Sequence, residues 1–375
     1  MTTGRQHVQE AQERKQKARK ATVRPGLKAF LTMLSLWALQ GAAYSQSFQA
    51  NPAYQSPRGP IAVRDMRPYN LLFLQFLPES GDVLPRKAER FGLQFDVANN
   101  LLRPALDDGP VVIEDNEYQR LSLSWRHGMG KETEIALYVP LLWRNGGFLD
   151  SILSSYHSLV GYNGAQDDNP AGRDAYPKYQ SRLVLADVNG NVLIDQGNAF
   201  GLGETLLTLK RSLVRPTPRS AVALRLGVKL PTGNPTLLLG SGSPDLGISL
   251  DARYSVGREI ILYANLAGVV MGKANKLPEA RSGMVQTLVG LEYRPNNRDS
   301  FILQFDSNSL AVRTGNGIAD RLQTTGTVGY KRVLDRHYVL AVSFSENGDV
   351  PNYAAPTIAS IGPDFTVSLG LEWHR

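Results

Sequence analysis

What most constrains this chain is one recurring unit: about ten residues of strict alternation, bounded by Gly, Pro, Asn or Asp. In the last example, Phe365, Val367, Leu369, Leu371 and Trp373 share one face and Thr366, Ser368, Gly370 and Glu372 the other. Val222, Leu224, Leu226, Val228 and Leu230 likewise oppose Ala223, Arg225, Gly227 and Lys229. Leu246, Ile248, Leu250, Ala252 and Tyr254 oppose Gly247, Ser249, Asp251 and Arg253. Segments 118–127, 283–293, 300–308, 321–330 and 337–346 repeat the pattern. Charges therefore fall mid-segment, opposite apolar residues. A soluble sandwich hides its apolar face. A membrane barrel turns that face to lipid and its charges into a wet lumen, and segments near ten residues suit a tilted strand crossing the bilayer. Aromatics at segment ends (Tyr118, Tyr138, Tyr254, Tyr293, Tyr330, Tyr338, Trp373) suit interfacial girdles.

The expected fold is all-β: a transmembrane antiparallel up-and-down β-barrel of about twelve strands, with fourteen the alternative. Short turns at 128–131, 215–219, 257–258, 295–299 and 332–336 alternate with longer connections at 231–244, 271–282, 310–320 and 347–363. Outer-membrane barrels keep short turns on the periplasmic side, which puts the C-terminus there and the connection 141–202 outside. Thirteen candidate strands leave one over. The almost continuously apolar stretch Tyr69–Leu77 is the misfit, either part of a lumen plug or an extra edge strand.

The chain of 375 residues carries a formal charge of +7. Residues 1–45 hold eight Lys or Arg against two Glu, so the rest is close to neutral. A nucleic-acid partner is not expected. The basic stretch to Lys28, the apolar run 29–39 and the small residues at 41–45 read as a secretory signal cleaved before Gln46. Residues 46–68 read as irregular, with a possible plug role, and 69–375 as the barrel. Cysteine is absent, which excludes disulfides and thiolate ligands. No cofactor or metal site is expected.

Within 141–202, the spacing of apolar residues over 148–160 predicts a helix. A hairpin is expected over 183–195, turning at Asn189 and Gly190. No catalytic motif is complete. Gly240-Ser-Gly-Ser-Pro-Asp245 lacks the order of a nucleophile elbow and reads as a turn into the next strand. His157 lies near Asp150 and several serines, so an outer-membrane esterase is a minor reading. The mature histidines His127, His157, His337 and His374 form no close pair in sequence.

Several stretches resemble a bacterial family known as domain of unknown function 3187. They are 67–74, 146–152 with Tyr156 and His157, Gly201-Leu-Gly-Glu204, Lys229-Leu-Pro-Thr-Gly233 and 240–245. The resemblance spans about 60–373 and implies an outer-membrane barrel without an established activity. Its signature residues here are Glu204, Lys229, Pro231, Thr232, Gly233, Ser241 and Asp245. The Lys-Leu-Pro-Thr-Gly segment also resembles barrels linked to aromatic-compound uptake. Glu204 stands where the resemblance leads one to expect Asp, and the chain ends Trp373-His374-Arg375 rather than on an aromatic.

The leading functional expectation is a monomeric passive channel or transporter for small molecules, apolar or aromatic ones included. Its partners are outer-membrane lipids, the barrel-insertion machinery and an unidentified solute. Arg225, Lys229, Asp251, Arg253 and Glu292 are the lumen candidates; Phe148, Asp150, Ile152, Tyr156 and His157 are the loop or gate candidates. A closed structural or adhesion barrel, with its charges locked in internal ion pairs, is the alternative.

Overall fold

The computed structural model describes residues 58–102, 111–152, 155, 177–187, 189–274, 277, 280–313, 322–347 and 363–375. The stretch expected to act as an export signal lies outside the described residues, as do Tyr156 and His157. Among the described residues fifteen strands form one sheet. Twelve of them close into a barrel in the order β1 (Glu89–Leu102), β2 (Val111–Gly130), β3 (Thr133–Asn145), β7 (Thr205–Val214), β8 (Ser220–Leu230), β9 (Asp245–Ser255), β10 (Ile260–Val270), β11 (Gly283–Tyr293), β12 (Asp299–Asn308), β13 (Gln323–Val333), β14 (Tyr338–Asn347) and β15 (Pro363–His374). The ring closes where β15 pairs antiparallel with β1, from Arg90 opposite His374 to Asn100 opposite Pro363. Closure leaves the ring without an open edge.

Three short strands stand outside the ring. The hairpin β4 (Arg182–Ala186) and β5 (Val192–Gln196) continues the sheet from the start of β2, and β6 (Ala199–Leu202) pairs with the end of β3. The hairpin turns at Asn189 and Gly190, as the sequence predicts. Gly190 has φ +80°, and the Asp187 carboxylate accepts from the backbone N–H groups of Asn189 and Asn191. The chain is helical at 149–152 and at Ser155; the rest of the expected helix lies outside the described residues.

Side chains divide by parity. Leu226, Ile248, Leu266, Val289, Leu303, Val328 and Leu369 point outward, each between 45% and 58% exposed. Their strand neighbours Arg225, Ser249, Ala267, Leu288, Ile302, Thr327 and Ser368 are buried inside. So wide an apolar belt does not persist in water; it is the lipid-facing surface of a membrane-spanning barrel. Phe91 against Trp373 and Phe301 against Tyr330, each with ring centroids 5.3 Å apart, form part of an aromatic girdle at the short-turn rim. Two expected girdle residues belong elsewhere. Tyr118 and Tyr138 are buried and face inward, because their hydroxyls find partners there: Arg144 for Tyr118 and Glu79 for Tyr138.

Residues 58–84 lie inside the barrel and 85–86 reach its exposed rim, so the first barrel strand begins at Glu89, not near residue 69. Tyr69–Leu77 forms no strand. It is the apex of an internal hairpin, tightened by a 3-10 turn at Asn70–Leu72. The ascending arm starts at Arg58, whose N–H approaches Glu292 near the short-turn rim, and reaches Asn70, whose side chain accepts from the Ala311 N–H near the long loops. The descending arm passes Asp245, Asn265 and Glu134, and it ends where the Lys87 N–H bonds Gly128. The apolar run is continuous because every side of the apex is covered. Tyr69, Leu72, Phe73 and Leu74 pack with Leu183, Leu185 and Ile194 of the hairpin and with Leu238, Met271, Leu277 and Val312 from the long connections. That cluster seals the long-loop end.

The lumen and its stopper

Below the apolar apex, the wall holds this inner segment largely through polar groups. Gln304 matches the backbone of Ile61 like a strand neighbour: its Oε1 accepts from the Ile61 N–H (2.9 Å) and its Nε2 donates to the Ile61 carbonyl (3.1 Å). Asn265 does the same for Glu79, at 3.1 and 2.8 Å. The Gln286 side chain accepts from the Phe76 N–H (2.9 Å), and Lys331 donates to the carbonyls of Arg58 (3.1 Å) and Pro60 (2.9 Å). A buried chain outside any sheet must satisfy its backbone groups somewhere, and here wall side chains do so.

The signature residues converge at the upper end of this contact. Lys229 Nζ lies 3.0 Å from Glu204 Oε1, 3.2 Å from Asp245 Oδ2 and 2.9 Å from the Leu72 carbonyl oxygen, and it also donates to Ser241 Oγ. Glu204 accepts from the N–H groups of Ser241 (2.7 Å) and Gly233 (3.1 Å). Asp245 accepts from Leu74 (2.8 Å) and Gly272 (2.8 Å). Thr232 Oγ1 donates to the Gly203 carbonyl (2.6 Å) and accepts from the Thr205 N–H (2.9 Å). Pro231 ends the β8 ladder beside them, since it has no N–H to donate. At Gly233 a Cβ would come within 2.2 Å of the Leu239 carbonyl oxygen, so only glycine lets the β8–β9 connection fold back on itself here. With Glu204, Asp245, Ser241 and the Leu72 carbonyl all within reach of its Nζ, Lys229 clamps the loops to the stopper.

Mid-lumen, one residue of the stopper gathers three cations. Glu79 Oε2 lies 3.0 Å from Arg126 Nη2 and 2.9 Å from Lys210 Nζ; its Oε1 lies 2.7 Å from Arg225 Nη1 and accepts from the Tyr138 hydroxyl at 2.7 Å. Two wall carboxylates complete the set: Glu134 on Arg126 at 2.6 Å and Asp251 on Arg225 at 3.0 Å. Burial by itself would raise the Glu79 carboxyl. The charges of Arg126, Arg225 and Lys210 outweigh that and hold it well below the usual carboxylate range.

The expected lumen residues all face inward. Arg225, Lys229 and Asp251 are in the two clusters above. Arg253 grips Asp82 of the descending arm through Nε (2.7 Å) and Nη2 (3.0 Å). Glu292 accepts from the Arg58 N–H (3.2 Å), from Ser300 (2.6 Å) and from Tyr263. The gate candidates divide. Asp150 is buried, bound by Asn99 (2.9 Å) and the Tyr179 N–H (2.6 Å), whereas Phe148 and Ile152 are 55% and 52% exposed. The described obstruction is therefore 58–84. Glu79, Lys210, Arg126 and Glu134 were not singled out from the sequence; an isolated acid in a coil has no spacing to betray its partners. Between the stopper and the wall of β1, β2, β14 and β15 remains a cavity of about 570 Å³ toward the short-turn rim. Glu79, Arg126, Glu134 and Tyr138 line its upper part, and Arg90, Arg120 and Lys331 lie around it.

Twelve strands closed round an N-terminal stopper, with leucines toward lipid and ion pairs within, define a plugged transmembrane β-barrel. The chain belongs to the family described as protein of unknown function (DUF3187), whose model matches residues 42–374. This is the family whose motifs the sequence resembles. No curated protein matches the chain. Solved structures similar in fold include the COG4313 outer membrane channel from Pseudomonas putida F1, at 10% identity, covering 80% of this chain and 99% of that one with a TM-score of 0.49. The NanC porin shares 6% identity, with 76% and 98% covered and a TM-score of 0.40. The P. putida toluene transporter TodX shares 9%, with 78% and 90% covered and a TM-score of 0.33.

Proposed function

We propose that this protein is an outer-membrane channel for small molecules, delivered by the cleaved export signal and the barrel-insertion machinery and closed here by its own residues 58–84. The observation that carries the reading is the polar seam between stopper and wall. A barrel of eight strands is filled by its own side chains, while twelve enclose more than the wall can fill. A permanent filling is made at least as stable by apolar packing as by buried ion pairs. Below the apolar apex, side-chain amides, Lys331 and the Glu79 cluster instead give two surfaces that both take up water when they separate, as a removable stopper requires.

Bilayer recordings of the folded chain 46–375 test this. The intact protein is expected to stay closed with brief discrete openings. Glu79→Ala is expected to raise the open fraction by at least about tenfold, the factor that corresponds to ~1.4 kcal/mol of lost anchoring. If a heat-modifiable, correctly folded barrel never conducts in either form, the channel reading is wrong and the closed structural barrel replaces it.

A further inference from the structure

The charge count around Glu79 says what a vacated lumen would hold. Arg126, Lys210 and Arg225 come from β2, β7 and β8; Glu134 and Asp251 come from β3 and β9. Three cations against two anions leave the wall one positive charge in excess. Among the described residues, the stopper's own Glu79 carboxylate balances it. With the stopper in place Lys210 and Arg225 are each 1% exposed, so in the closed state that charge is met by Glu79 and not by solvent.

The geometry fits a carboxylate and not merely an anion. Arg126 and Lys210 approach one oxygen of Glu79, and Arg225 and the Tyr138 hydroxyl approach the other, all at 2.7–3.0 Å. Three hydrogen-bond donors, two on one oxygen and the Tyr138 hydroxyl on the other, with the Arg225 charge beside that second oxygen, suit the paired oxygens of a carboxylate. A halide offers one centre, and an amide turns an N–H₂ toward cations. The cavity of about 570 Å³ opens beside this cradle, with Tyr138, Arg126 and Glu134 on its boundary. It leaves room for an organic group behind a carboxylate held in Glu79's place.

Resting on the channel reading, we propose that the cradle of Arg126, Lys210, Arg225 and Tyr138 is the selectivity site of the open pore, that its ligand class is small organic monocarboxylates, and that Glu79 occupies it in the closed state as a tethered mimic of that ligand. One excess charge matches one carboxylate. A dicarboxylate brings a second charge that Glu134 and Asp251 repel.

The test uses the full mature chain and a free carboxylate as probe. Glu79→Ala removes the mimic and leaves a gap the size of acetate. Sodium acetate is expected to raise the temperature at which this variant loses its heat-modifiable form, in a concentration-dependent way. Acetamide and sodium chloride at matched ionic strength are expected not to, and the intact protein, its cradle already filled, gains nothing. Adding Lys210→Gln, which brings the wall to neutrality, is expected to abolish the acetate effect. In bilayers, open Glu79→Ala channels are expected to pass benzoate several-fold better than potassium, judged by reversal potential, and the Lys210→Gln form to lose that preference. Acetate acting no better than acetamide overturns the cradle as a carboxylate site. Channels that conduct without preferring benzoate overturn its role in selectivity and leave the channel standing. A silent barrel still stabilised by acetate sinks the channel reading and keeps the binding site.

Discussion

At the scale of single residues, the design rests on buried charges that each have more than one partner. Lys229 is the clearest case, because it joins β8, the loop after β6, the start of β9 and the stopper's Leu72. Replacing it with Met leaves Glu204 and Asp245 facing each other without a cation. Breaking such a buried set costs roughly 3–5 kcal/mol. Urea unfolding of Lys229→Met in vesicles is expected to show that loss, while Ser241→Ala, which removes one hydroxyl, shows about 1 kcal/mol. Equal losses would mean that the lysine's charge contributes nothing. Glu79 yields a pH expectation with a definite sign. Its bound carboxyl lies below its released value, so the anchoring it provides is complete above the released value of about 4.3 and fades only as pH falls through the bound one. The open fraction of the intact protein is therefore expected to stay flat from about pH 7 to about pH 5. A rise within that range that Glu79→Gln abolishes would show that Glu79 is not held as described. Lys229 and Glu204 were legible as part of a motif; Glu79 was not, because its meaning lies in strands from 47 to 172 positions away in sequence, reached only by folding.

At the scale of elements, the strands were legible and the stopper was not, for one physical reason. A barrel strand has two environments and writes them as a period of two. A segment buried on every side writes no period, so Tyr69–Leu77 showed only that it is apolar. Its complement in the wall is also quiet in sequence. Gly227 and Gly247 are paired across β8 and β9, and together they leave a flat patch on which the Phe76 ring rests. A Cβ at Gly227 would come within 2.7 Å of that ring, and one at Gly247 within 2.6 Å. Arg225 covers the same ring, its Cζ 4.9 Å from the centroid. Gly227→Ala therefore acts on the stopper and not on the barrel ladder. The expected result is an unchanged heat-modifiable barrel with a raised open fraction, and faster protease cutting within 73–86. A tighter closure would show that the ring does not rest there. Tyr118 and Tyr138 carry the converse lesson: an aromatic at a segment end reads as a girdle residue whether its hydroxyl meets a headgroup or a buried charge.

At the scale of the whole molecule, lipid and lumen make opposite demands on adjacent residues, so one step along the chain changes which property a substitution damages. Leu266 and Asn265 on β10 show this directly. Leu266 is 55% exposed toward lipid, whereas Asn265 turns inward and holds both backbone groups of Glu79. An arginine at 266 meets hydrocarbon and costs roughly 2–4 kcal/mol near the bilayer midplane. Arginine at 265 forfeits the match to the Glu79 backbone and adds a charge beside the Arg225–Asp251 pair. The former is expected to lower stability in vesicles while the remaining folded protein stays closed. The latter is expected to keep the barrel's unfolding midpoint within about 1 kcal/mol of the parent, since the wall ladder is untouched, and to open the pore. Urea titration in vesicles and bilayer recording on the same two preparations decide it. If both substitutions act on stability alone, the stopper is part of what holds the barrel shut as a fold, and closure is not a separate equilibrium of the finished molecule.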